Sequence, residues 1–383
     1  MRQLVCLAGL VIALVGHPAA MADDSSFASY RDIELAYRAQ HEAIDGLRTR
    51  LAALESSAGT ASAGGPADGC CNCNCCPSYC PLASCSGWIG GADILFLKPH
   101  WENNTAISVS TFAVGASANT NLDFDYDFET AYSVWAGYRG GSGFGVRGRY
   151  FEFSHGSSLS FTSAPGQFVL PAAPLNVVVP FGGAGVTYDT ASDLELHTVD
   201  LEGSQVVSVC GFTIDASAGV RYFKMDQHFD VVASSAAFTA VVNSGHDFEG
   251  IGPVLALEVR REVADTGLSL FGTARGAVLF GDAEQVAHEE ARNGAGALLA
   301  TIDAENSRWD VIPVAEMEVG AEYASWVGSA RWIVRASLVG QVYSGAGNAS
   351  NNELFTTFGI DETLDSGANL GLLGLRISAG VNY

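Results

Sequence analysis

The stretch Leu373–Tyr383 reads LGLRISAGVNY. Successive side chains of an extended chain point to opposite faces, so Leu373, Leu375, Ile377, Ala379, Val381 and Tyr383 share one side and Arg376, Ser378, Gly380 and Asn382 the other. An apolar comb running up to an aromatic final residue has the form of the signal that the outer-membrane barrel assembly machinery reads. The stretch therefore predicts a membrane strand, with Tyr383 as the assembly signal and outer-membrane lipid and that machinery as partners.

Working back along the chain, Gly87 to Tyr383 breaks into about ten such alternating segments, twelve being the alternative count, each near the length of a tilted membrane strand. Short turns are expected at Gly140 to Ser142, Cys210 and Gly211, Asp265 to Gly267, and Ser325 to Gly328. Long polar connections are expected at Glu102 to Leu122, Gly156 to Ser192, Gln227 to Glu249, Asp282 to Ser307, and Ser344 to Asn369. Strict alternation of short and long connections is the outer-membrane pattern, and a soluble β-sandwich has no reason to produce it. The fold class is all-β, an antiparallel transmembrane barrel.

Bulk properties agree with this reading. Only 16% of residues are charged and mean hydropathy is +0.20, yet after the leader no run of about 20 apolar residues offers a membrane helix. A barrel hides its lipid face in every second residue, so a hydropathy window registers half the signal.

Residues 1–22 have the plan of a signal peptide, with Arg2, an apolar run from Leu4 to Val15, and Ala20, Met21 and Ala22 as cleavage site. Residues 23–56 predict a periplasmic helix with Tyr30, Tyr37, Ile44 and Leu51 at heptad a positions and Ile33, Gln40, Leu47 and Leu54 at d. It reads as a short coiled coil, or as one amphipathic helix packing on its own chain. Residues 57–86 form a flexible linker rich in small residues and cysteine, and 87–383 the barrel.

Four stretches carry a family resemblance: Trp88 to Trp101 (WIGGADILFLKPHW), Ala131 to Phe153 (AYSVWAGYRGGSGFGVRGRYFEF), Leu194 to Gln205 (LELHTVDLEGSQ) and Ser217 to Met225 (SAGVRYFKM). They resemble the Legionella-type major outer membrane protein family of pore-forming proteins. The resemblance implies an outer-membrane barrel and passive diffusion of small solutes or ions. It implies no catalytic residue, and it leaves the heptads and the cysteine cluster without a family role.

Charge placement refines the expectation. The formal net charge is −23, yet basic residues concentrate on the barrel segments. A charge facing lipid near the midplane costs about 2 to 4 kcal/mol, so alternation makes Arg147, Arg149, Arg221, Arg260, Arg275, Arg335 and Arg376 lumen candidates. Asp215, Glu258, Glu316, Glu318 and Glu322 share their faces. Two interiors are consistent with this set: a water-conducting lumen with Arg147 and Arg149 at an arginine-lined constriction, or a salt-bridged, plugged one. A non-conducting structural barrel and a surface adhesin or enzyme are the alternative functions. The predicted loops carry many carboxylates, among them Asp247, Glu249, Asp282, Glu284 and Glu289, a rim that concentrates cations and repels nucleic acid.

The only suggestive catalytic pairs are His197 with Asp200 and His246 with Asp247, and neighbours on a strand face opposite ways. No catalytic activity, cofactor or metal is expected. Cys70, Cys71, Cys73, Cys75, Cys76, Cys80 and Cys85 crowd the linker and Cys210 lies in a short turn; with Cys6 in the leader, eight of nine cysteines remain. In an oxidising compartment an even number favours disulfides, although thiolates also bind zinc or copper. Adjacent cysteines pair poorly with each other, which points to bonds between chains brought together by the coiled coil and to a disulfide-stapled homo-oligomer. Cys85 with Cys210 is the expected bond within one chain.

Overall fold

A computed structural model describes residues 86–101, 104–113, 116–171, 184–209, 211–264, 266–350 and 368–383. All lie within the compact unit Cys76–Tyr383. The expected signal peptide and heptad helix, the linker cysteines and Cys210 fall outside the described residues.

The strands are β1 (Gly87–Trp101), β2 (Thr105–Ala113), β3 (Ala116–Asp123), β4 (Glu129–Arg139), β5 (Phe144–Thr162), β6 (Gln167–Pro171), β7 (Thr187–Val209), β8 (Phe212–Ser234), β9 (Phe238–Glu262), β10 (Leu268–Asn293), β11 (Leu298–Val327), β12 (Ala330–Tyr343) and β13 (Leu370–Asn382). Ten of them close in the order β1-β13-β12-β11-β10-β9-β8-β7-β5-β4, every pair antiparallel. Closure removes both sheet edges, which is what lets a sheet stand in lipid. β2, β3 and β6 form a separate three-stranded sheet.

The four short turns fall where expected, each with a glycine in the left-handed region that other residues adopt only with strain: Gly143 (φ 82°), Gly211 (80°), Gly267 (74°) and Gly328 (66°). β1 begins and β13 ends at this same end of the barrel, where the Tyr383 amide donates to the Trp88 carbonyl at 2.8 Å. Trp135 of β4 lies across the β13–β1 seam. A Cβ on Gly91 or Gly380 would come within 2.7 or 2.9 Å of its ring, so glycine there lets the indole lie against the wall.

At the opposite end the sequence expectation needs correction. Gln227 to Glu249 is a continuous β8–β9 hairpin with its tip at Ser235 to Ala237, and Asp282 to Ser307 is a β10–β11 hairpin whose tip lies at Gly294 to Ala297. β5 likewise runs to Thr162 and β7 starts at Thr187. Within Glu102 to Leu122, β2 and β3 pair with each other. The strands outrun the apolar band because their ladder continues while their polarity inverts.

That inversion is visible strand by strand. On β8, Ile214, Ala216, Ala218, Val220 and Tyr222 point outward and Asp215, Ser217, Gly219 and Arg221 inward. Beyond Tyr222, Lys224, Asp226 and His228 point outward while Phe223, Met225 and Phe229 are buried within. β5 changes between Arg149 and Phe151, and β10 between Arg275 and Ala277 on its inner face and between Phe280 and Asp282 on its outer one. Glu152, His197, Lys224, Glu249 and Asp282 occupy directly paired positions on five neighbouring strands and mark the upper limit of the apolar exterior. Below that line the exterior suits lipid and the interior is polar; above it the wall has the inside-out order of a soluble sheet.

Candidate functional site: the charged interior and its apolar cap

All eleven lumen candidates point inward. Arg147 and Arg149 come from β5, Asp215 and Arg221 from β8, Glu258 and Arg260 from β9, Arg275 from β10, Glu316 and Glu318 from β11, Arg335 from β12 and Arg376 from β13. Glu322, read with them, is fully buried. Arg139 and Arg331 also face inward, as do Asp93, Asp200 and Glu202. Alternation could have found Asp93, opposite Ile94. Asp200 and Glu202 are harder to see, since Leu194 and Leu196 share their face and make it read as the lipid side.

The groups form four ion-paired clusters within one charged layer. Arg221 binds Asp200 through both oxygens, Nε to Oδ1 at 2.7 Å and a terminal nitrogen to Oδ2 at 2.9 Å, and reaches Glu316 with its remaining arm. Arg275 joins Asp200 at 3.0 Å and also contacts Glu202, which accepts from Arg147 at 2.8 Å. Arg335 bridges Glu322 at 2.8 Å and Glu258 at 3.0 Å, with Arg260 on the same two carboxylates. Arg376 links Glu318, at 2.9 Å, to Asp93, and Arg139 meets Asp215 at 2.8 Å. Arg147 and Arg149 share a face as expected, but they do not stand as a free positive pair, because Glu202 is paired with Arg147 on the neighbouring strand β7 and Glu316 of β11 faces Arg149 across the interior.

Between the pairs lies a cavity of ≈ 110 Å³. Its wall includes Arg139, Arg147, Arg149, Arg260, Arg275, Arg335 and Arg376, five carboxylates (Asp93, Asp215, Glu258, Glu316 and Glu318), and Trp135. A single water needs roughly 10–15 Å³ by this kind of measure, so the space holds several.

Above the charged layer the interior is apolar. Leu97, Phe151, Phe153, Leu196, Phe223, Met225, Phe248 and Leu372 pack with Tyr343 into one buried cluster. Phe223 stacks on Tyr343 at 5.1 Å between centroids and meets Phe248 at 6.1 Å. Higher still, Ile107, Val109 and Val169 of the three-stranded sheet pack with Tyr188, Phe229, Val231 and Val242 of the wall.

The chain after β12 then enters the barrel. Ala346 to Ser350 are buried, Ala346 completely, with Gly345 and Gly347 at positive φ to make the turn. Gln227 donates to the Gly347 carbonyl at 3.4 Å and accepts from the Ala349 amide at 3.2 Å. The His246 Nε2–H donates to the Ala346 carbonyl at 3.0 Å, while its Nδ1 has no partner. Burial pulls the His246 imidazole down to about 4, so the ring is neutral at pH 7. His246 lies above the lipid-facing band, as its pairing with Gln285 places it three residues beyond Asp282.

Neither histidine–acid pair is assembled. His246 faces inward and Asp247 outward, and His197 faces outward while Asp200 is buried in the charged layer. Glu289 of the expected acidic rim is buried instead, since odd positions of β10 face the interior. The outer face above the lipid line does carry carboxylates in register: Glu195, Asp226, Asp247 and Glu284 stand directly opposite one another on β7 to β10. Burial and the neighbouring Asp226 raise the Asp247 carboxyl above its ordinary value. Among the described residues no cluster of histidine, cysteine, aspartate and glutamate is arranged to hold a metal ion.

A family model described as Legionella pneumophila major outer membrane protein precursor matches residues 80–374. No curated protein matches. Among solved structures, the chain is similar to the outer membrane protease OmpT of Escherichia coli at 11% identity, covering 78% of this chain and 96% of that one, with a TM-score of 0.39. It is similar to the Pseudomonas putida toluene transporter TodX at 12% identity, covering 78% and 89%, with a TM-score of 0.33. The closed ten-stranded wall, its apolar outer band and a match over most of the sequence agree: this chain is an outer-membrane β-barrel and belongs to the Legionella pneumophila major outer membrane protein family.

Proposed function

We propose that the chain is a narrow outer-membrane pore for small polar solutes or ions, and that the interior described above is its closed state. The observation that carries this reading is the charged, ≈ 110 Å³ cavity at the level of the lipid-facing band. Buried ion pairs often stabilise less than well-packed apolar residues of the same volume, so a purely structural barrel has no energetic use for so many. A hydrated path for solutes does. The segment Gly345 to Ser350 suits a gate, because Gln227 and His246 hold it through side chains and it lies beyond the last β11–β12 backbone bond, from the Ser344 amide to the Pro313 carbonyl.

In this reading the short turns face the periplasm and the tall wall projects outward, its carboxylate row gathering cations near the headgroups. The cysteine linker then lies at the periplasmic mouth, where disulfides staple a homo-oligomer. Non-reducing electrophoresis of envelopes with thiols blocked before lysis checks the staple; monomers alone would reject it.

Planar-bilayer recording of the purified full chain tests the pore. Stepwise currents are expected, rare in the wild type and more frequent in Gln227→Ala. The apolar layer around Phe223, Phe248 and Tyr343 favours a second reading, a non-conducting structural barrel, and silence of both proteins with intact heat-modifiable folding would establish it.

A further inference from the structure

We infer that the membrane-level cavity is a binding site for a small carboxylate anion of formate or acetate size, with Arg149 as its principal recognition group. Arg149 is the least paired of the inward arginines. The others each have a carboxylate oxygen within 3.6 Å, most within 3.0 Å. The nearest to Arg149 is Glu316 Oε2 at 3.8 Å, and its Nε reaches only Ser133 Oγ at 3.4 Å. Its side chain is nevertheless nine-tenths buried, at 10% exposure, and lines the cavity.

A buried guanidinium without a close acceptor forgoes charge-assisted hydrogen bonds that are worth more than neutral ones, so an added acceptor is favoured there. Four other arginines of the same wall, Arg139, Arg147, Arg260 and Arg376, also have an Nε–H group without an acceptor. The nearest carboxylate, Glu316, is held by Arg221 through Oε1 and leaves its other oxygen 3.8 Å from Arg149. Asp200 is committed to Arg221 and Arg275, and Glu202 to Arg147 and Arg275. The planar two-pronged fork of arginine matches the two oxygens of a carboxylate, and the cavity has room for such an ion in place of a few waters. Chloride can neutralise Arg149 but cannot engage two donors of the fork with two oxygens. The site thus prefers carboxylate over halide.

This inference deepens the pore reading by naming a solute class, yet binding can be measured without conduction. The full chain, refolded in detergent micelles, is unfolded in urea with sodium formate, sodium acetate or sodium chloride at equal ionic strength. In the wild type the folded-to-unfolded ratio should rise about tenfold at formate concentrations near ten times Kd, relative to chloride. Arg149→Gln should abolish the difference. Arg149→Lys keeps the charge and loses the fork, and should reduce the preference even if the glutamine variant fails to fold. Equal midpoints in formate and chloride for the wild type, or a full formate response in Arg149→Lys, would overturn the site and leave the cavity holding water. A silent barrel with a formate response overturns only the pore, and a conducting barrel indifferent to formate overturns only this inference.

Discussion

Asp200 and Arg221 occupy directly paired positions on β7 and β8 and are joined by two parallel hydrogen bonds of 2.7 and 2.9 Å, each residue only 1% exposed. Two charges so deeply buried are tolerable only together. Arg221→Met leaves Asp200 and Glu316 facing each other with one fewer counter-charge, and Asp200→Leu does the reverse. Each single change should destabilise the refolded barrel by about 3–5 kcal/mol. The double variant, which removes both charges, should recover much of that loss in urea unfolding. Additive losses in the double variant would mean the pair is not a unit.

The polarity inversion along β8 sets where lipid ends. Val220 lies outward within the apolar band and Asp226 outward above it. Val220→Arg should cost about 2–4 kcal/mol in folding into lipid vesicles, and Asp226→Arg about 0–1 kcal/mol. Equal costs at the two positions would place the boundary elsewhere.

His246 ties the inserted segment to the wall, and its burial there favours the neutral ring. Its folded-state value of about 4 lies below the ordinary 6.5, so the neutral ring is favoured in the folded state. The associated stability is whole above pH 6.5, falls as pH drops from there toward 4, and changes little further below. The difference of about 2.5 between the two values makes the loss about 3 kcal/mol. Protease cleavage within Gly345 to Ser350 should accelerate over this window in the wild type. His246→Gln should cleave at a rate that is flat over the same range.

The proposed orientation puts the β10–β11 tip outside the cell and the β4–β5 turn in the periplasm. Ala295, exposed at that tip, suits a single reporter cysteine better than its neighbour Gly294, where a Cβ would sit 2.6 Å from the Ala236 carbonyl. In a background lacking the native cysteines, Ala295→Cys should react with an impermeant maleimide on intact cells, and Ser142→Cys only after lysis. The opposite pattern would invert the barrel.

How much of this was legible beforehand depends on the range of the interaction. The two faces of Leu373–Tyr383, the outward set from Ile214 to Tyr222, the short turns and the inward direction of the arginines are period-two facts within single strands, and the chain carries them locally. Asp200 and Glu202 escaped because their inner face is apolar at Leu196 and Leu194, four and six positions before Asp200, and alternation gives the period without saying which face is inside. The hairpins beyond Lys224 and Asp282 read as loops for the same reason: their outer face is polar, as in any sheet standing in water.

What only the tertiary structure decided is which charges meet. Arg376 and Asp93 lie 283 positions apart and meet because β1 and β13 close the barrel. Arg221 reaches Glu316 across the interior from a strand to which β11 is not paired. The inward path of Ala346 to Ser350 rests on Gln227 and His246, more than a hundred residues and several strands away in the case of Gln227. An extended chain's alternation assigns each side chain a face at every second residue. The partner on that face is assigned by barrel closure, which the local period does not contain.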